Sequence, residues 1–108
     1  MIQFGWTGDN GDPDNFMNVL LGCSAVQAGS NYARWCQKDF DALLQKAKEE
    51  SGFKARAGFY EKAQLIFNKE KPWYPIAHAR LNKVISDKVV GYKIDPFGHE
   101  QFESVDLK

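Results

Sequence analysis

The amino-acid sequence predicts a mixed α/β unit: a strand, a loop and short helix, a helical hairpin, then short strands. Three observations carry this expectation. Ile2 to Thr7 alternates in polarity, with Ile2, Phe4 and Trp6 on one face and Gln3, Gly5 and Thr7 on the other. Asp39 to Glu50 and Lys54 to Lys69 carry apolar residues at helical spacing. Beyond Pro75 that spacing gives way to short runs of strand-forming residues.

Each element has a local reason. The first strand runs into Gly8-Asp9-Asn10-Gly11-Asp12-Pro13-Asp14-Asn15, an octet of turn formers that must be a loop. Asp14 or Asn15 can cap a short helix ending near Leu21. Gly22 to Asn31 is small and polar and reads as surface loop. In Asp39–Glu50, Phe40, Leu43, Leu44 and Ala47 form one stripe, and Asp39 and Asp41 suit the positive N-terminus. Ser51-Gly52 ends this helix, with Gly52 expected in the left-handed conformation. The next helix presents Phe59, Ala63, Ile66 and Phe67, with Tyr60 at the edge, and Pro72 marks its end. The break between these two helices is short enough to make them a hairpin. Strands are then expected within Ile76–Ile85, Val89–Ile94 and Phe102–Leu107, with a turn at Asp95-Pro96-Phe97-Gly98.

Size and charge narrow the function. A chain of 108 residues forms one compact domain at most. Its eight Phe, four Tyr and three Trp suffice for a small core and exclude a disordered chain. Fourteen basic residues balance fourteen acidic ones without a long basic run, so nothing draws the chain to nucleic acid. No segment approaches the roughly 20 apolar residues of a membrane span. No signal peptide is visible, because Met1-Ile2-Gln3-Phe4 lacks a basic leader region.

Catalytic and metal chemistry find little purchase. His78 lies in an apolar strand-like context, as a hydrogen-bonded structural histidine would, and His99 lies in a polar turn. Asp9, Asp12 and Asp14 raise a calcium loop, but Pro13 interrupts it and no Glu follows at the required offset. Cys23, Cys36, His78 and His99 lack the paired spacing of structural zinc. Cys23 and Cys36 enclose twelve residues and can close a loop, worth roughly 3 kcal/mol, if the compartment is oxidising; otherwise they are two buried thiols.

The segment Gly5-Trp6-Thr7-Gly8-Asp9 carries the candidate binding chemistry. Glycines on either side admit close approach of another backbone. Main-chain groups of Gly5 and Thr7 can pair with an extended ligand. Asp9 can receive a cationic group, a charge-assisted bond of about 1.5–3 kcal/mol, and Trp6 can wall an apolar pocket. The plainer reading stands beside it: Trp6 shares a face with Ile2 and Phe4 as core, and Asp9 is a turn residue.

Gly5-Trp6-Thr7-Gly8-Asp9-Asn10-Gly11-Asp12-Pro13-Asp14-Asn15-Phe16 resembles the peptide-binding proteins that serve ABC transporters, in particular those of the dipeptide type. The resemblance continues through Cys23, Gly29-Ser30-Asn31-Tyr32 and Trp35-Cys36, then Tyr60 and Ala63-Gln64. It ends with Ile76-Ala77-His78, Val90-Gly91-Tyr92, Asp95-Pro96, Gly98 and Phe102-Glu103. It implies that residues 1–108 are the C-terminal segment of a two-lobed periplasmic-binding-protein fold, beginning at the strand beside the cleft. It further implies that Asp9 receives a peptide's free amino group, that main chain at Gly5 and Thr7 holds the ligand backbone, and that Trp6 lines the cleft. A Cys23–Cys36 disulfide and a periplasmic location follow from it. So do a membrane ABC permease and the remaining lobes as partners, with no enzyme activity, cofactor or metal. Related members bind haem or glutathione, and a segment that binds nothing by itself is the third alternative.

Overall fold

The computed structural model describes residues 2–108, which divide into two compact units, one ending at Pro75 and one running from Ile76 to Lys108. The first is helical: α1 (Asp14–Leu21), the single turn α2 (Ala25–Ala28), α3 (Lys38–Glu49) and α4 (Phe53–Glu70). The second contains β1 (Val89–Val90) and β2 (Asp106–Leu107), paired antiparallel with Val89 opposite Leu107 and Val90 opposite Asp106. The outcome is a helix-rich piece with one small sheet, a partial α/β arrangement.

The helical hairpin forms as its spacing predicts. Phe40, Leu44 and Ala47 on α3 and Ala63 on α4 are fully buried, and Tyr60, Leu20 and Leu21 complete the cluster. Tyr60 is thus central on α4, while Phe59, Ile66 and Phe67 are only partly buried around it. The Tyr60 hydroxyl explains the exchange, since it accepts a hydrogen bond from Arg56 at 2.9 Å and can therefore be buried without cost to its polar end. At the start of α3, Gln37 Oε1 accepts from the Phe40 N–H at 2.6 Å. Asp39 and Asp41 fall in the first turn of α3 and Lys46 and Lys48 in the last, complementing its dipole.

Several expectations are corrected. Ile2–Thr7 is not a strand: Ile2 is 74% exposed, and no partner strand accompanies it among the described residues. A strand needs neighbouring main chain for its N–H and C=O groups, and alternation alone does not supply it. Ile76–Ile85 is likewise irregular and exposed, so His78 lies on the surface rather than in a structural hydrogen-bond site. Gly22–Asn31 is more than surface loop, because it holds α2 and buries Ala25 and Asn31. Gly52 has φ −73° and precedes α4, whereas the helix end that does carry a left-handed residue is that of α4, at Lys71 with φ 47°. Neither Asp14 nor Asn15 caps α1. Pro13 occupies that boundary in helical conformation, and Asp12 Oδ1 accepts from the Asp14 N–H at 2.9 Å.

The second unit turns on Gly91, whose φ is +76°. A Cβ there would lie 1.8 Å from the Ser104 carbonyl oxygen, so only glycine fits. At the turn expected near Asp95, the Gly98 N–H reaches Asp95 O at 3.0 Å and the Phe97 N–H reaches Asp95 Oδ1 at 3.0 Å. His99 Nδ1 lies 2.9 Å from Asp95 Oδ2. Glu100 accepts from Tyr92 and pairs with Lys83; these bonds hold its carboxyl below the usual range and raise the Lys83 and Tyr92 groups.

Two substitutions test the helical core in opposite directions. Phe40→Ala should lower stability by about 3–5 kcal/mol. Gly58→Ala, where a Cβ meets nothing within 4 Å, should raise it by about 1 kcal/mol. Urea unfolding midpoints at constant slope measure both.

Candidate functional site

The site is built on the loop from Gly8 to Pro13 and the first turn of α1. The loop is internally bonded: Asn10 Oδ1 accepts from the Asp12 N–H at 3.0 Å, and the Asn15 N–H reaches Asp12 O at 3.2 Å. Gly8 is buried where a Cβ would come 2.8 Å from the Phe16 ring and 3.1 Å from Asn10 O. Glycine therefore lets the loop close down on α1.

Arg56 on α4 anchors the loop from below. Its guanidinium meets Asp12 through two contacts, Nη1 to Oδ2 at 2.7 Å and Nη2 to Oδ1 at 2.8 Å. It also donates from Nε to the Ala47 carbonyl at 2.9 Å and lies over the Tyr60 ring, 5.1 Å from its centroid. The hydrogen bond from Arg56 holds the Asp12 carboxyl below the usual carboxylate range, with the Asp14 N–H assisting. The same bond raises Arg56, and burial raises the Tyr60 phenol. Lys48 Nζ approaches Asp14 Oδ1 at 3.8 Å. These groups border a polar depression of about 290 Å³ that Asn10, Asp12, Asp14 and Arg56 help to line. Asp9 does not line it.

The residues singled out in the sequence fall as follows. Asp9 is exposed on the loop. Trp6 is half-buried against the core cluster and donates from Nε1 to Asn15 Oδ1 at 3.0 Å. Asn15 Nδ2 donates to Asp9 Oδ2 at 3.0 Å, so Trp6 and Asp9 meet through Asn15. Gly5 and Thr7 are exposed, and among the described residues their main-chain groups form no hydrogen bond. Asn15 and Arg56 were missed as site residues. The sequence offered Asn15 as a turn former, a helix cap and part of the Gly5–Phe16 motif but with no role at the site, and Arg56 gave no signal because its partner Asp12 lies 44 residues away.

Cys23 and Cys36 form a disulfide. The enclosed segment is further held by Asp41 Oδ1, which accepts from the Cys23 N–H at 2.8 Å, and by Asn31 Nδ2, which donates to the carbonyls of Gly22 and Trp35. Trp35 stacks edge-on against Phe40 with centroids 4.9 Å apart, and its Nε1 reaches Glu70 at 2.8 Å. Phe4 packs between Tyr32 and Trp73, at 5.5 and 5.6 Å. The disulfide loop and the end of α4 thus hold the segment that leads to Asp9.

No family model matches the chain. Known proteins do match it along nearly its whole length. It is 47% identical over 104 residues to di/tripeptide-binding protein 4 of Pseudomonas aeruginosa, covering 96% of this chain and 20% of that protein. It is 40% identical over 107 residues to the dipeptide-binding protein of Escherichia coli, covering 99% of this chain and 20% of that protein. A solved dipeptide-binding protein from Pseudoalteromonas, in complex with Met-Leu, superposes with a TM-score of 0.82 at 38% identity, over 95% of this chain and 20% of that one. By sequence and by fold, the chain is similar to a segment of dipeptide-binding proteins. It spans about one fifth of the length of the relatives it matches. The family expectation and the disulfide are borne out together.

Asp12 ties stability to pH. Its folded-state value is depressed, so its contribution is present above the unfolded value, about 3.9, and is lost as pH falls through the folded one. Asp12→Asn should therefore lower the urea midpoint at pH 7, and the gap to wild type should close as pH falls below about 4. A gap independent of pH would deny the Arg56 pairing this role.

Proposed function

We propose that the chain is part of the substrate-binding component of an ABC peptide uptake system, one that holds dipeptides or short peptides by their backbone and free amino group. Similarity to di- and tripeptide-binding proteins along nearly the entire chain carries this reading. Asp9 is the amine anchor, Trp6 borders the ligand, and main chain at Gly5 and Thr7 grips its backbone. The unbonded main-chain groups of Gly5 and Thr7 support this role, since an added peptide strand needs such groups.

The chemistry suits varied peptides. Ligands that differ in side chain share a backbone, an amine and a carboxylate, and a site built on those shared groups tolerates the difference. Side-chain pockets can then stay roomy and wet. On this reading the protein binds and does not catalyse, works in the periplasm, and delivers its ligand to a membrane permease after closing with its remaining lobes. The exposed apolar side chains of Phe53 (89%) and Leu65 (70%) on α4 fit a segment that further protein covers. No described helix is long and apolar enough to cross a membrane.

A second ligand class has its own support. The chain is 44% identical over 104 residues to heme-binding protein A of Haemophilus influenzae, of which it covers 19%. Titrating the full-length protein with a dipeptide mixture, haem and oxidised glutathione separates the readings. Micromolar or tighter binding of dipeptides is expected, and Asp9→Ala should weaken it by about tenfold or more, or roughly 1.4 kcal/mol. Tight binding of haem alone would defeat the peptide reading.

A further inference from the structure

The loop and the first turn of α1 contain three carboxylates, Asp9, Asp12 and Asp14, and the structure sorts them by partner. Asp12 is paired with the Arg56 guanidinium and Asp14 lies beside Lys48. Asp9 has no cationic partner among the described residues; its side chain meets only the neutral amide of Asn15.

The orientation of that amide follows from hydrogen-bond chemistry. Trp6 Nε1 and the Asp9 main-chain N–H are both donors, at 3.0 and 3.3 Å from the same Asn15 atom. Only a carbonyl oxygen satisfies them, so Oδ1 must lie there. The amide nitrogen is then left to face Asp9 Oδ2, to which it donates at 3.0 Å. Asn15 sits in the first turn of α1, where regular helix holds its main chain. One side chain thus reads the position of Trp6, the backbone of Asp9 and one oxygen of its carboxylate.

We propose that Asn15 is the positioning residue for Asp9: it fixes Oδ2 and leaves Oδ1 directed to a ligand's ammonium group. This rests on the reading of Asp9 as the amine anchor. A neutral donor suits the task. It orders the carboxylate without cancelling its charge, whereas a lysine or arginine at the same place would compete with the ligand for it. A carboxylate held in one orientation loses less side-chain freedom when the amine arrives, which favours affinity. Trp6 is drawn into the same device, because its indole N–H helps to hold the Asn15 amide in register.

Calorimetry on the full-length protein tests this with a dipeptide and its N-acetylated counterpart, which lacks the ammonium charge. Asn15→Leu should weaken the free-amine dipeptide about tenfold or more and leave the acetylated one unchanged, while Asp9→Ala weakens the free-amine dipeptide at least as much. Loss of affinity in Asp9→Ala with none in Asn15→Leu overturns the role of Asn15 and leaves the amine anchor standing. Loss in neither removes Asp9 from the site and this inference with it. Equal weakening of both peptides by Asn15→Leu reduces Asn15 to a structural part and overturns the proposal.

Discussion

The guanidinium of Arg56 joins the loop, the end of α3 and α4 at one point. It binds the Asp12 carboxylate on both oxygens, the Ala47 carbonyl near the end of α3, and the hydroxyl of Tyr60 one turn along its own helix. A planar fork with several fixed donors is suited to this, and a lysine at the same position would satisfy only part of it. The loop that carries Asp9 is consequently referred to the helical hairpin, the best-packed part of the chain. Loop geometry and core packing become one problem rather than two.

Around that joint, polar atoms are used to set geometry as much as to add stability. Asp12 orders the start of α1 while it holds Arg56, and Asn15 links Trp6 to Asp9. Asn31 and Asp41 bind main chain around the disulfide loop. Each uses a short side chain whose reach is limited, so the backbone it binds has little freedom to drift. The disulfide closes the same region covalently, and Phe4 packs between Tyr32 and Trp73 to bring the leading segment back towards the end of α4. The candidate binding residues are therefore surface residues on a supported base, as a recognition site requires.

The surface carries a second message. Large apolar side chains such as Ile2, Phe53, Leu65 and Val84 are exposed, and the indole N–H of Trp73 is buried without a partner among the described residues. Exposed apolar side chains of this size mark surfaces suited to contact with other protein. The irregular course of Ile2–Thr7 goes with the lack of a paired strand among the described residues. Its alternation is that of a strand, yet a strand exists only where another lies beside it.

Much was therefore legible without coordinates. Both long helices, the stripe of Phe40, Leu44 and Ala47, and the turn at Asp95 follow from local spacing and local hydrogen-bond chemistry, which act within a few residues. The motif from Gly5 to Phe16 and the cysteine loop carried the resemblance to dipeptide-binding proteins that the comparisons then found. Tertiary structure decided what depends on distant partners: that Tyr60 rather than Phe59 is central, that Arg56 meets Asp12, and that Asn15 turns towards Asp9 instead of capping α1. Local patterns reflect interactions along the chain, whereas a side chain with several possible partners is settled only when folding brings one of them within hydrogen-bond reach.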